Sequence, residues 1–196
     1  MTQQLILAST STYKKNLLER LKISFGSISP EIEETQNYGE LPKDMAQRLA
    51  ESKAKAVSIL NPNKLVLGTD QTGELKGKVL GKPGSFKQAA KQLAAQSGQT
   101  VYFHSAISVV KTLDNGEMSK TTKLNTTKVT FRDLSKQHIE TYLKIEKPYD
   151  CAGSFKSEGL GITLFRSIDT NDPTSLIGLP LIDLCSILKE FEISIP

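Results

Sequence analysis

The stretch 101–131, VYFHSAISVVKTLDNGEMSKTTKLNTTKVTF, decides the fold. It reads as two long strands, 101–111 and 118–131, rich in valine, isoleucine and threonine and joined by a turn at Asp114-Asn115-Gly116. Around this pair the chain alternates helices with shorter strands. Upstream, 5–8 (Leu5-Ile6-Leu7-Ala8) is a short apolar strand, and Ser9-Thr10-Ser11-Thr12 supplies N-cap chemistry for a helix carrying Leu17, Leu18 and Leu21 on one face. A strand at 23–28 is followed by a polar loop from Glu31. Leu41-Pro42 then opens a long helix that runs to about residue 60, since proline is tolerated in a first turn. A strand at 64–67 places Gly68-Thr69-Asp70-Gln71 at its C-terminal end. A hairpin region around 75–80 and a helix over 86–95 lead into the long pair. Downstream, a helix over 134–145, a strand over 160–168 and a helix over 179–188 complete the order. Such a mixture predicts an α/β (mixed α+β) fold built on an elongated mixed sheet. No internal repeat or low-complexity segment interrupts it.

The 196 residues suit one large domain or two small lobes, and we take 1–196 as a single domain. With 38% hydrophobic and 23% charged residues the composition is that of a soluble globular protein. The formal charge of +4 is too small to argue for nucleic acid, and 6% aromatic residues leave no stacking stripe, whereas a mild positive balance fits an anionic small molecule. Cys151 and Cys185 are far apart, as are His104 and His138, so neither a disulfide framework nor a zinc site is expected. A reducing cytoplasm is the simplest setting. The N-terminal MTQQLILAST has no basic region and only four consecutive apolar residues, unlike a signal peptide, and no stretch approaches the length needed to span a membrane.

Several charges stand where structure alone would not put them. Lys14 and Lys15 fall in the first turn of the first helix, where cations oppose the helix dipole, and Lys14 continues the stripe of Leu17, Leu18 and Leu21. A strand, a Ser/Thr turn and a helix N-terminus make a phosphate cradle with these lysines as counter-charge; the alternative is two solvated lysines and a plain cap. Lys53 lies inside the apolar stripe Ala46, Leu49, Ala50, Val57 and Leu60 of the long helix, so it must snorkel or meet an anion. Arg48 borders that face. Asp70 could hold a divalent cation, act as a general base or cap a turn. Glu33 and Glu34 could join it as oxygen donors to a hard cation or be surface charges. Lys82, in Gly81-Lys82-Pro83-Gly84, is a phosphate contact or a loop lysine. His104 and His138 have no partners at a useful spacing and read as structural or solvated. In Cys151-Ala152-Gly153-Ser154-Phe155-Lys156-Ser157-Glu158-Gly159, glycines flank an ammonium and a carboxylate on a loop suited to a charged ligand, or to a solvated turn. Together these groups are the inventory for metal-assisted attack on a nucleoside polyphosphate, with no Walker A motif, dinucleotide fingerprint or nucleophile elbow present.

The same segments, in the same order, resemble the Maf family of nucleotide pyrophosphatases. They are Leu7-Ala8-Ser9-Thr10-Ser11, Glu33-Glu34-Thr35, Arg48-Leu49-Ala50 with Lys53, Gly68-Thr69-Asp70-Gln71, Gly81-Lys82-Pro83, the 151–159 run, and Ile177-Gly178-Leu179-Pro180-Leu181. The resemblance implies an elongated, twisted mixed sheet flanked by helices, in two lobes with a central cleft. It also implies hydrolysis of a nucleoside triphosphate to the monophosphate and pyrophosphate with a divalent cation, Mg2+ or Mn2+. On that basis Asp70 is the catalytic acid residue, the base that activates water. Ser9, Lys14, Lys53 and Lys82 bind the phosphates, and Glu34 and Asp70 hold the metal. Tyr13, Gln71 and Glu158 occupy specificity positions, with Tyr13 expected to stack on the base, Gln71 to offer both donor and acceptor, and Glu158 to accept from a guanine edge. Lys14-Lys15 stands where the family usually has two arginines, which keeps the charge and loses the bidentate fork.

Gln71 and the Ser-Phe-Lys-Ser-Glu run resemble the branch that acts on 7-methyl-GTP. The dTTP/UTP branch usually shows Asp-Thr and Ala-Tyr-x-x-Gln-Gly at these places. The alternatives are a dTTP/UTP or broader non-standard nucleotide pyrophosphatase, and a nucleotide-binding regulator of septum formation with little turnover. The expected partner is a nucleotide, with no nucleic acid and no membrane; a monomer and a homodimer both remain open.

Overall fold

The computed structural model describes residues 5–193 and residue 195. Residues 1–4, part of the stretch read as lacking a signal peptide, lie outside the described residues. The elements run β1 (Leu5–Ala8), α1 (Thr12–Glu19), β2 (Phe25–Ile28), α2 (Pro42–Ile59), β3 (Leu65–Leu75), β4 (Lys78–Leu80), α3 (Phe86–Gln96), β5 (Thr100–Thr112), β6 (Met118–Phe131), α4 (Lys136–Glu146), β7 (Phe165–Asp169) and α5 (Leu181–Glu190), with short 3-10 turns between α4 and β7 and before α5. The seven strands form one open mixed sheet in the order β2-β1-β3-β5-β6-β7, with β4 paired to the far end of β3. β1 is parallel to β2 and β3. The β3–β5, β5–β6 and β6–β7 pairs are antiparallel, and the expected long hairpin of β5 and β6 forms the spine. No helix of the described residues is long and apolar enough to cross a membrane.

Small clusters form where α2 packs on this sheet, around Ala54, Val57, Val66 and Val110 and around Ala46, Ala50 and Ala106, and two large cores sit at its opposite ends. One packs Leu17 and Leu18 of α1 and Leu184, Ile187 and Leu188 of α5 against Leu5, Leu7, Leu65 and Leu67. The other packs α3 and α4 around Phe103, Phe131, Phe155 and Phe165, whose rings meet edge to face with centroids 4.8–5.9 Å apart. Such pairs add to simple burial because ring edges and faces carry opposite partial charge. A cleft opens between the two.

Two sequence expectations change. Asp70 is in the middle of a strand rather than at the end of one, because β3 continues to Leu75 along β5. What stops is its neighbour: β1 pairs with β3 only as far as Ala8 opposite Gly68, and β4 rejoins that edge at Gly73. Asp70 therefore lies beside the gap left on that edge, with its side chain on the face that α2 covers. The apolar run 160–168 is a strand only over Phe165–Asp169. Leu160–Leu164 winds into 3-10 turns, in which Gly161 N–H donates to Lys156 C=O (3.0 Å) and Leu160 N–H to the Glu146 carboxylate (2.9 Å). These bonds take the amides that a sheet neighbour would need.

Gly68 sets the distance between sheet and helix. A Cβ there would lie 2.1 Å from Ala50 O and 2.6 Å from Ala54 N of α2, so the helix backbone rests directly on the strand. Neither backbone can yield without moving the other elements packed on it. Gly68→Ala should lower stability by the upper part of the about 1–3 kcal/mol typical of overpacking, or more. A fall in the urea midpoint at unchanged m-value would show it, and a midpoint equal to wild type would contradict the account.

Candidate active site

A cleft of about 670 Å3 is lined by all nine residues singled out from the sequence: Ser9, Tyr13, Lys14, Glu34, Lys53, Asp70, Gln71, Lys82 and Glu158. At its floor Lys53 Nζ lies 2.7 Å from Asp70 Oδ1 and 2.8 Å from Glu34 Oε1. Asp70 is buried on β3, Lys53 is buried on α2, and Glu34 comes half-exposed from the loop between β2 and α2. The lysine inside the apolar stripe thus meets two anions. Burial works against its charge, but the attraction of Asp70, then the hydrogen bonds to Asp70 and Glu34, hold its pKa above the ordinary lysine value. Burial pushes the Glu34 carboxyl up, and the hydrogen bond and charge of Lys53 outweigh it, leaving Glu34 below the usual carboxylate range.

Lys14 turns inward, as its place in the stripe predicts, and donates to Thr69 C=O (2.9 Å) on the open edge of β3. Desolvation pushes its pKa down to about 8, against the upward pull of Asp70 and Glu34 and with the repulsion of Lys53 and Lys82. Lys15, the neighbouring cation, is not among the cleft residues. Ser11 caps α1, and Ser9 Oγ accepts from Ser11 N–H (3.2 Å) while its own proton stays available. Lys82 stands exposed on the opposite rim, and no ion pair holds it among the described residues. Glu33 points away from the cleft and accepts from Thr35 Oγ1 (2.8 Å), so of the two adjacent glutamates only Glu34 reaches the site.

The other end of the cleft is built by the 150–158 loop, α1 and the turn before α5. Here one expected role changes, that of Gln71, and the Tyr13 hydroxyl gains partners of its own. Gln71 Nε2 donates to Ser105 Oγ (2.9 Å), Ser175 C=O (2.9 Å) and Leu176 C=O (3.0 Å). Its amide protons are committed to the protein, so toward a ligand Gln71 offers its carbonyl oxygen rather than both donor and acceptor. The Tyr13 hydroxyl faces Lys156 and Cys151 across the cleft, and desolvation, then the thiol and Asp150, push its pKa up, so it is a neutral phenol engaged with the far wall. Glu158 is exposed at the rim and accepts from Ser157 Oγ (3.3 Å). Lys156 and Asp150 also line the cleft. Lys156 belongs to the 151–159 run, where its ammonium is the sequence signal, and Asp150 stands one residue outside it. Burial, with Asp150 beside it, pushes the Cys151 thiol up to about 12, which makes it an inert wall rather than a nucleophile. Both cysteines are free. His104 is structural as expected, bonded to Glu74 Oε2 (2.8 Å) and Thr126 Oγ1 (3.0 Å).

An open mixed sheet with a cleft that gathers a buried ion pair at its floor, an inward lysine and an exposed lysine at its rim defines a class of proteins that handle anionic ligands. The same fold occurs in the solved structure of a HAM1 protein from Coxiella burnetii, which matches with a TM-score of 0.52 over 96% of this chain and all of that one at 17% identity. The family model described as Maf-like protein matches residues 4–191, and the chain belongs to the Maf family. Relatives include a protein of Polaromonas sp. named 7-methyl-GTP pyrophosphatase, 48% identical over 188 residues that cover 96% of this chain and 84% of the relative. A protein of the same name from Xanthomonas oryzae pv. oryzae is 47% identical over the full length of both chains.

The position of Lys14 makes anion binding pH-dependent. An anion needs the ammonium, which the free protein loses as pH rises through about 8. Binding of a polyphosphate should weaken above that pH and stay level below it. Lys14→Arg, always charged, should remove the break. Titration calorimetry with inorganic triphosphate from pH 6.5 to 9.5 reads this out, and an identical pH profile in both proteins would exclude Lys14 as its source.

Proposed function

We propose that the protein hydrolyses the α–β phosphoanhydride of a nucleoside triphosphate, releasing the monophosphate and pyrophosphate, and that 7-methyl-GTP is its preferred substrate. The observation that carries the reaction is the Asp70–Lys53–Glu34 cluster at the floor of a cleft that also holds Lys14 and, at its rim, Lys82. The full-length similarity to proteins named 7-methyl-GTP pyrophosphatase supports the substrate.

In this reading Lys53 holds Asp70 Oδ1, fixing the carboxylate and leaving its second oxygen for a water. Asp70 takes a proton from that water as its oxygen bonds to the α-phosphorus. The bond from that phosphorus to the bridging oxygen breaks, and its electrons leave with pyrophosphate. Lys14 and Lys82 neutralise the departing charge, and Ser9 donates to a phosphate oxygen. Glu34 and Asp70 suit Mg2+ or Mn2+: hard cations of this kind are held by one or two carboxylates completed by substrate phosphates. Among the described residues no cluster of three His, Cys, Asp or Glu side chains makes a closed metal site, so phosphate oxygens and water must complete it. A bound cation would supply further charge neutralisation at the phosphates.

The base would lie at the other end, among Tyr13, Gln71, Asp150 and Glu158. An N7-methylated guanine carries ring charge, which two carboxylates and a phenol face favour by attraction that a neutral pyrimidine does not feel. Glu158 can accept from guanine N1–H and the 2-amino group. The protein would thus act on modified nucleotides in the cytoplasm, as a monomer or homodimer, with neither nucleic acid nor membrane as partner.

Asp70→Asn should lower kcat by about 10²–10⁴-fold in a protein that still folds but is less stable, because the amide keeps the shape and loses the base, while Lys53 is left with Glu34 alone. Near-wild-type turnover of the purified variant would remove Asp70 from the mechanism. On a panel of 7-methyl-GTP, GTP, dTTP and UTP, pyrophosphate release should show the highest kcat/KM for 7-methyl-GTP. A methyl group alone gives about 10–200-fold discrimination, so a larger preference points to ring charge. Glu158→Gln should erode the preference. Equal kcat/KM for 7-methyl-GTP and dTTP in the wild type would refute the substrate and leave the reaction standing.

A further inference from the structure

Glu34 reaches the floor of the cleft from the segment 29–41, which has no helix or strand of its own. Its carboxylate is 55% exposed, so its ion pair with Lys53 is shared with solvent. Exposed pairs are too weak to order a loop by themselves. Beside it the structure holds a second, tighter attachment. Arg48, on α2, grips the Glu40 carboxylate with both arms of its guanidinium, Nε to Oε1 at 2.5 Å and Nη2 to Oε2 at 2.7 Å. Nη2 also donates to Thr35 C=O (3.0 Å), the residue next to Glu34. The Glu40 side chain is only 10% exposed. The loop closes on itself around it: Asn37 N–H donates to Glu40 Oε2 (3.0 Å), Glu40 N–H to Asn37 C=O (3.1 Å) and Gln36 Nε2 to Glu40 C=O (2.8 Å). Arg48 does not line the cleft.

We infer that Arg48 and Glu40 form a clasp that positions Glu34: it pins the loop to α2 at Thr35 and Glu40 so that the carboxylate of residue 34 is delivered onto Lys53, five residues along the same helix. Arg48 is a positioning residue that acts through Glu34, with no contact to the ligand. Planar bidentate geometry matters here, since one guanidinium must satisfy a carboxylate and a carbonyl at once, which an ammonium cannot do in the same plane. The inference rests on the proposed pyrophosphatase reading only where turnover is the readout.

The test uses Arg48→Met and Glu40→Gln, each made in the wild type and in a Glu34→Gln background, with two measurements. Hydrogen exchange needs no substrate. Amides of residues 31–40 should exchange about tenfold or more faster in either variant, while β3 and β5 keep their protection. In pyrophosphate release, each variant should lower kcat/KM about tenfold or more when Glu34 is present and by less than about twofold when it is already glutamine, the non-additivity expected of groups that act as one. Arg48→Lys should recover only part of the loss. Unchanged exchange over 31–40 overturns the clasp, and so does an equal drop in both backgrounds, which would mark Arg48 as acting independently of Glu34. If Arg48→Met does not fold, Glu40→Gln, which removes only the charge of the partner, decides by the same criteria. If the wild type releases pyrophosphate from no nucleoside triphosphate, the functional reading fails and the exchange result alone judges the clasp.

Discussion

The rest of the structure depends on how closely α2 lies on β3. At Gly68 the missing side chain lets the helix backbone at Ala50 and Ala54 touch the strand. Around this point α2 buries three alanines, Ala46, Ala50 and Ala54, beside Leu49, Lys53 and Val57, and the small alanines let the two elements lie close. This proximity places Lys53, one residue before Ala54, within 2.7 Å of Asp70, two residues beyond Gly68. With a bulkier residue at 68 the helix would stand off, and a buried ammonium and a buried carboxylate would lose each other. Breaking such a pair is costly because it leaves an uncompensated charge away from water, even where the intact pair itself adds little stability. The close approach is therefore a condition for the site as well as for the packing.

The second determinant is the mismatch in strand length. β1 ends opposite Gly68 while β3 runs on to Leu75 with β5. In an even sheet the next residues of β3 would be covered by another strand. Here that edge is left to the Ser/Thr turn and the N-terminus of α1, and Lys14 bonds a strand carbonyl where a neighbouring amide would otherwise be sought. The gap is the cleft. It lies between two separate cores, so its walls are carried by independently packed elements: α1 and α5 on one side, the 150–158 loop seated over the phenylalanine cluster on the other. A site assembled this way holds its charges in place before any ligand arrives, which is what electrostatic stabilisation requires.

The charges themselves are ordered by depth. Lys53 is buried between two carboxylates and keeps its proton firmly; Lys14 is desolvated with fewer anions at hand and holds its proton only to about pH 8; Lys82 stands at the rim. An anion entering the cleft first meets an exposed surface cation, then one whose charge it stabilises by arriving. The innermost lysine gives two of its three protons to Asp70 and Glu34.

The sequence alone determined the element order, the long β5–β6 hairpin, the inward turn of Lys14 and the anomaly of Lys53, and by resemblance the family and nine of the residues that line the cleft. These were legible because periodicity along one element reports which face is buried, and a charge on that face must find a partner. Only the tertiary structure decided who the partners are. That Glu34 rather than Glu33 meets Lys53, that the amide of Gln71 is spent on Ser105, Ser175 and Leu176, and that Arg48 holds Glu40 all depend on segments far apart in the chain coming together. No local pattern encodes that. The same limit explains the two misread elements. The run 160–164 is apolar enough for a strand, but its amides bond Lys156 and Glu146, and Asp70 looked like a strand end because the pairing that continues β3 comes from β5, more than thirty residues away.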